Sequence, residues 1–311
     1  MKRISLIAAF TSLILLGFSC KPSYPDRPSG NATTDDPDDP EQPVEYQRPE
    51  VKTCAENLVL YISFDNDNLI EKGEGVTFAE TAGDAFIAGG FIEKGWTNQS
   101  GVNSNTAYTK FDVAAGSLFT KLESITFTAW IKASEEYPKG GIVSLNGARS
   151  GNNHHDFPAF IIYYDNYGAD KETGEPWQQV NGRLLFHDAG GNEQNFWLDA
   201  SDPAFARYGD WCQFAATYDY TVGVGNLYLN GLPVRELTFG QYIPFNNLVT
   251  EFADAFYVGG WSSFIEGDSF QTWQNYWAGS IDEIRLFDKA FSEDEILALY
   301  KEELAINLEM E

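Results

Sequence analysis

The side chains best suited to chemistry in this sequence are aromatic rings set among amides and carboxylates. Trp177, Trp197, Trp261, Trp273, Tyr276 and Trp277 each stand among or beside Gln, Asn, Asp or Ser. Indole and phenol faces stack on apolar C–H surfaces, while the flanking polar groups hydrogen-bond hydroxyls, so the combination suits a sugar ring. Aromatic residues make up 15% of the chain, and core packing must claim many of them. Trp130 and Trp211, at alternating strand positions, are expected inside. The run Asn152-Asn-His154-His155-Asp156 reads either as a polar rim of the same site or as a solvated loop. Adjacent side chains on an extended backbone point to opposite faces, which argues against both histidines sharing one metal. The same alternation turns Asp282 and Glu283 apart, and Asp188, Glu193 and Asp199 are scattered across a hairpin. No nucleophile-elbow pattern surrounds a serine. Binding is therefore the first expectation and catalysis the second.

These residues need a scaffold, and the chain from Cys54 onward spells one out. Short runs rich in Val, Ile, Phe, Tyr and Thr alternate with Gly, Asn and Asp, the pattern of antiparallel strands. Strands are predicted over 58–64, 125–133, 140–145, 158–164, 182–187, 194–198, 211–218, 225–230, 255–260 and 277–287. Asn230-Gly231, Asn146-Gly147 and Gly190-Gly191 are candidate hairpin turns, because Asn and Gly tolerate positive φ. So many strands in one domain require two packed sheets, since a single open sheet would leave an apolar face in water. Near the end, Ser292-Glu-Asp-Glu295 reads as a capping box with Phe291 and Ile296 as a staple. A helix of about three turns should follow, pinned by Ile296, Leu299 and Tyr300 with its acidic residues facing water.

The beginning of the chain has a different composition. Lys2 and Arg3 precede an apolar run from Ile4 through Leu16, then Gly17, Ser19 and Cys20. Residues 1–19 have the layout of a cleaved secretory signal. A cysteine directly behind a small residue there resembles the bacterial lipoprotein signal, in which that cysteine takes the lipid; Cys20 is the residue this nominates. Residues 21–50 contain seven prolines and eight acidic residues against three basic ones. A stretch that polar cannot bury a core, so 20–50 is read as a disordered, acidic, Pro-rich tether, with 51–311 as the folded domain. The tether's acidity resembles the export tags of Bacteroidetes surface lipoproteins. Most of the formal charge of −26 belongs to the domain, which repels phosphate backbones and argues against nucleic acid as a partner. Outside the cytoplasm Cys54 and Cys212 have the choice of pairing in a disulfide or staying free.

In the order of its segments the domain resembles the laminin G-like (LamG) jelly rolls of the concanavalin A-like lectin/glucanase superfamily. The resemblance rests on Leu60-Tyr-Ile-Ser-Phe64-Asp65, Phe127-Thr-Ala-Trp130-Ile-Lys, Trp211-Cys-Gln-Phe-Ala-Ala-Thr-Tyr218-Asp219, Leu227-Tyr-Leu-Asn230-Gly231, Phe256-Tyr-Val-Gly259-Gly260 and Gly279-Ser-Ile-Asp282-Glu283 through Ile296. It implies an all-β, two-sheet antiparallel sandwich with a short C-terminal helix. It also implies a structural calcium held at Asp65 and Asp282, although Asp282 has the alternatives of capping a turn or pairing with Arg285. Retaining hydrolases of the fold carry two carboxylates on alternate residues of one strand, as in Glu-x-Asp-x-x-Glu, and no such motif occurs here.

The expectation is thus a lipid-anchored outer-membrane protein, at the cell surface or facing the periplasm, that binds a polysaccharide or glycoconjugate without chemistry of its own. It would work beside other glycan-capture or degradation proteins. The alternatives are a glycoside hydrolase or polysaccharide lyase with an unrecognised carboxylate pair, and a protein-binding adhesion module.

Overall fold

Alternation in Ile125–Ala133 does what the pattern predicts: Ile125, Phe127, Ala129, Ile131 and Ala133 enter the main core, while Thr126, Thr128 and Trp130 point the other way. The computed structural model describes residues 50–98, 107–134, 140–146, 160–165, 179–187, 193–201, 209–238, 242–246, 253–266 and 276–310. Contacts divide the chain into Met1–Gln47 and Arg48–Glu311, and everything described belongs to the second unit.

Two antiparallel sheets make up that unit. The first runs in the order β14 (Leu232–Thr238), β13 (Val224–Leu229), β12 (Cys212–Asp219), β7 (Ile125–Ala133), β16 (Gly279–Phe287), β1 (Leu58–Ile62) and β2 (Ile70–Gly73). Its corner is filled by β5 (Lys94–Asn98), paired to β16, and β4 (Ala85–Gly89), paired to β5. The second sheet runs β11 (Glu193–Ser201), β10 (Gln179–His187), β9 (Phe160–Asp165), β8 (Gly140–Leu145), β15 (Ala255–Val258), β6 (Ala107–Val113) and β3 (Val76–Gly83). Inner faces meet through rings such as Phe127 against Phe160, with centroids 5.6 Å apart. Phe111, Ile142, Phe256 and Val258 of the second sheet close over Phe214, Leu227, Ile284 and Leu286 of the first. Burying aliphatic and aromatic side chains from both layers is what makes the double sheet stable.

Every predicted strand is present, and six more appear: β2 to β6 and β14. Asn230 and Gly231 have φ of 51° and 76°, the left-handed pair that a two-residue hairpin requires. Asn146-Gly147 does not close such a hairpin, because β8 ends at Leu145 and its partner β9 begins only at Phe160.

The C-terminal helix differs from expectation in two respects. Besides the one-turn helix α1 (Ser262–Ile265), the chain forms α2 over Glu293–Met310, 18 residues rather than about three turns. Its capping box is made: Ser292 N–H donates to Glu295 Oε2 at 2.9 Å, and Glu295 N–H to Ser292 Oγ at 3.3 Å. Ile296 and Leu299 are buried, and Tyr300 stacks on Trp130 at 5.7 Å. Its acidic residues do not all face water, however. Glu303 is fully buried against the outer face of the nine-stranded sheet, accepting from Trp130 Nε1 and Gln213 Nε2 at 2.6 Å each and from the Arg285 guanidinium.

Candidate functional site

α2 packs on part of the outer face of the nine-stranded sheet, and the segment from Gly259 to Ile265 packs on the middle of the outer face of the other, where Ser144, Ile161, Tyr163 and Tyr257 are buried. Cross-strand register carries one row of residues over all seven strands: Glu80, Lys110, Tyr257, Ser144, Ile161, Arg183 and Trp197. A shorter neighbouring row holds Tyr163, Asn181 and Asp199. Residues directly opposite one another, and alternate residues along a strand, belong to one face, so Trp197, Arg183, Asn181 and Asp199 occupy positions on a single face of this sheet.

Trp261 also belongs here. Its ring tilts over Tyr163 at 4.9 Å, and both pack with Ile161 and Phe264. The approach depends on Gly141, where a Cβ would stand 2.5 Å from the Gly260 carbonyl carbon, and on Gly140, where it would stand 2.4 Å from the Tyr276 carbonyl oxygen. Only glycine lets segments 259–261 and 276–277 lie this close on β8. Ser144 Oγ fastens the segment, donating to Gly260 O and accepting from Ser262 N–H, both at 2.8 Å.

Further along the face, Tyr108 and Tyr257 meet edge to face at 5.8 Å. Tyr257 donates its hydroxyl to Glu266 Oε1 at 2.9 Å, and Tyr108 donates to Glu80 Oε1 at 3.0 Å. Burial, then the hydrogen bond to Glu80, pushes the Tyr108 phenol up to about 12; burial, then the charge of Glu266, raises Tyr257 as well. Both therefore stay protonated as donors at neutral pH. Asn146 ties the corner: its Nδ2 donates to Asp254 Oδ1 at 2.6 Å and Glu266 Oε1 at 2.9 Å, while its Oδ1 accepts from Asp254 N–H and Ala255 N–H at 3.0 Å each. This tyrosine and amide network has no signature in sequence, because its members come from β3, β6, β15, the residue after β8, the residue before β15 and the residue after α1.

The expected site residues separate on this geometry. Tyr276 is half-buried, edge-on to Phe264 at 5.4 Å, and Trp197 shares its face by register. Two expectations need correction. Trp261 is 1% exposed and Trp277 0% exposed. Trp261 is spent on Tyr163, and Trp277 belongs to the main core, its Nε1 donating to Ser280 O at 3.3 Å; neither offers an open ring face. Trp177, Trp273, His154, His155 and Cys20 lie outside the described residues.

Asp65 and Asp282 do come together, but as a backbone pin. Asp282 Oδ2 accepts from Ile92 N–H at 2.9 Å and Oδ1 from Glu283 N–H at 2.7 Å, and Asp65 Oδ1 accepts from Lys94 N–H at 2.9 Å. Gly90 N–H donates to Glu93 O across the same turn at 3.0 Å. Burial, then the neighbouring Glu283, raises the Asp282 carboxyl well above the usual range. Both oxygens of Asp282 are thus engaged by N–H donors, and no group of three acidic, histidine or cysteine ligands forms among the described residues. The pair does not fit a calcium shell, which needs six or more oxygens. Arg285 pairs with Glu283 and Glu303 instead of Asp282. Asp65 lines a cleft of about 600 Å³ with Tyr61, Glu71, Lys72, Glu93 and Arg285, on the side opposite the aromatic row.

Of the two alternatives open to the other cysteines, the structure has the second: Cys54 and Cys212 are free. Cys212 lies in the main core, whereas Cys54 packs with a separate cluster beside α2, donating Sγ–H to Glu295 Oε1 at 3.5 Å. Burial first, and for Cys54 the bond to Glu295 next, pushes the thiols up to about 11 for Cys54 and about 12 for Cys212. Both shifts disfavour the thiolate at neutral pH.

A two-sheet jelly roll with an aromatic and polar outer face is the class of protein defined here. The chain belongs to the concanavalin A-like lectin/glucanases superfamily, whose laminin G-type family model matches residues 103–297. No curated protein sequence matches it. Among solved structures, domain 4 of AbnA, a GH43 extracellular arabinanase from Geobacillus stearothermophilus in complex with arabinotriose, is similar at 19% identity and a TM-score of 0.46, over 78% of this chain and 98% of that one. The CBM40 of a Ruminococcus gnavus IT-sialidase, bound to α2,3-sialyllactose, is similar at 19% identity and a TM-score of 0.42, over 58% and 83%. The binding domain of botulinum neurotoxin DC, in complex with rat synaptotagmin II, is similar at 14% identity and a TM-score of 0.50; the match covers 79% of this chain and 51% of that one.

Proposed function

We propose that this protein is a non-catalytic carbohydrate-binding protein that takes a polysaccharide or glycoconjugate on the outer face of its seven-stranded sheet. The observation that carries the reading is the register itself, which places Trp197, Arg183, Asn181 and Asp199 at positions on the same face of the sheet as half-buried Tyr108. Rings that stack and amides and carboxylates that take hydroxyls are the two halves of sugar recognition. The carboxylates described on this face orient tyrosines and an amide, which favours a fixed binding platform over an acid and base pair. We further propose that Cys20 carries a lipid and residues 20–50 tether the domain to the outer membrane. Tethering raises the effective concentration of neighbouring binders on one long glycan, so modest single-site affinity suffices.

Affinity electrophoresis through a panel of polysaccharides, with reducing ends assayed in parallel, tests the reading. Retention without release of reducing ends is expected, and release would move the protein to the hydrolases or lyases. Silence on every glycan, with capture of a deglycosylated protein partner, would favour adhesion. Chelation should leave retention unchanged, because Asp282 is already satisfied by backbone N–H groups. Trp197→Ala should weaken retention while the unfolding midpoint holds; normal retention in that variant would overturn the placement of the site.

A further inference from the structure

The antiparallel neighbours β10 and β11 divide their residue types by face. Their register runs from Gln179–Ser201 to His187–Glu193 without a shift. Val180, Leu184, Phe186, Phe196 and Leu198 occupy the face of Phe160 and Ile162, which are buried in the main core, with Gln194 as the polar exception. The other face has Gln179 opposite Ser201 at one end, Asn181 opposite Asp199 and Arg183 opposite Trp197 toward the middle, and His187 opposite Glu193 at the far end. Leu185, opposite Asn195, is its aliphatic exception. Antiparallel strands that divide in this way have one face on a core and the other toward water.

The polar face is bounded across the sheet on both sides. β9 pairs with β10 and contributes Ile161 and Tyr163 to the same face, where both are buried in a cluster with Trp261 and Phe264. The segment from Gly259 to Ile265 thus separates the β10 and β11 positions from β15 and β6, and β11 is the last strand on the other side. The direction left for a long ligand is along the strands. On that axis Gln179 and His187 stand about 27 Å apart at the rise of an antiparallel strand, and positions on one face repeat about every 7 Å. An extended sugar chain therefore meets a new cross-strand pair at each step. The residue types suit that repetition: amides at Gln179, Asn181 and Asn195 donate and accept, as hydroxyls do, and carboxylates at Asp199 and Glu193 accept from them. Trp197, the ring that stacks, falls in the central pair.

We infer that the protein takes a linear glycan along β10 and β11, holding a run of consecutive sugar units with Trp197 at the centre, so that it recognises the interior of a chain and not a single terminal unit. This rests on the carbohydrate reading above and assigns the part of a glycan that is recognised.

The test is titration calorimetry of the whole protein against a size series, disaccharide to hexasaccharide, cut from the polysaccharide that retards it in affinity electrophoresis. The hexasaccharide should bind about a hundredfold tighter than the disaccharide, two tenfold steps of about 1.4 kcal/mol each. That is well beyond the few-fold gain that extra binding frames on a longer chain supply. Trp197→Ala should weaken every member of the series. Gln179→Ala and Glu193→Ala, at opposite ends, should each take more affinity from the hexasaccharide than from the disaccharide, in variants whose unfolding midpoints are unchanged. A disaccharide that binds as tightly as the hexasaccharide would overturn the inference and leave the carbohydrate reading intact. So would a size dependence that neither end variant alters. If no polysaccharide of the panel retards the protein, the carbohydrate reading falls and this inference with it.

Discussion

Glu303 shows how far one residue can depart from its surroundings. It lies in an acidic stretch of α2 that a polar sequence would leave in water, yet it is fully buried, accepting from Arg285, Trp130 Nε1 and Gln213 Nε2. Arg285 is 2% exposed and divides its guanidinium between Glu303 and Glu283, with the Tyr61 ring 4.2 Å from its centre. Burying such ions costs desolvation that their mutual attraction only roughly repays, so removing one partner does more harm than the intact pair does good. Glu303→Ala should therefore lower stability by about 3–5 kcal/mol, seen as a lower urea midpoint with an unchanged slope. Glu303→Gln keeps an acceptor for Trp130 and should lose less. A cost below about 1 kcal/mol in Glu303→Ala would mean that water replaces the carboxylate.

Among the elements, the junction of α2 with β16 combines a helix cap with an ion pair. Burial raises the Glu295 carboxyl, but the Lys289 ammonium, Ser292 N–H and Cys54 Sγ–H outweigh it and hold the group at about 2, below an ordinary 4.5. A carboxylate whose folded pKa is depressed adds stability above the unfolded value and loses it as pH falls toward the folded one. Acid titration of the unfolding midpoint should thus show a loss between pH 4.5 and 2 that Glu295→Gln removes. An unchanged acid limb in that variant would place the loss elsewhere. Ser292→Ala should cost about 1 kcal/mol at neutral pH, the usual worth of an N-cap side chain, read by thermal unfolding. This element was legible in sequence because its signal is local: Ser292, Glu295, Phe291 and Ile296 lie within six residues. The five strands between 70 and 113 were not. β3 presents Glu80 and half-exposed Phe78 along an open sheet edge, and β5 is the short Lys94-Gly-Trp-Thr-Asn98. Neither has the β-branched alternation that marks a half-buried strand.

For the molecule as a whole, sheet order decides which residues meet, and sequence spacing does not encode sheet order. Tyr108 and Tyr257 are 149 positions apart and touch because β6 and β15 pair; Trp261 and Trp277 look like surface residues among polar neighbours and prove buried because Gly140 and Gly141 admit their segments onto β8. Net charge, by contrast, is fully legible and acts on the entire domain. Most of the formal charge of −26 lies in the domain and repels itself in the folded state, while the exposed ion pair Lys121–Glu74, at 2.7 Å, adds little. Raising the salt from about 0.01 to 0.15 M shortens the screening length from roughly 30 to 8 Å, which weakens the long-range repulsion more than the close attractions. The thermal midpoint should therefore rise with sodium chloride, and recovery of about 1 kcal/mol would lift it by roughly 2–4 °C. The buried Arg285–Glu303 pair is shielded from solvent and should not respond, so the rise should persist in Glu303→Gln. A midpoint that falls as salt is added would mean that surface attractions outweigh the net repulsion, and the charge argument against a nucleic-acid partner would weaken with it.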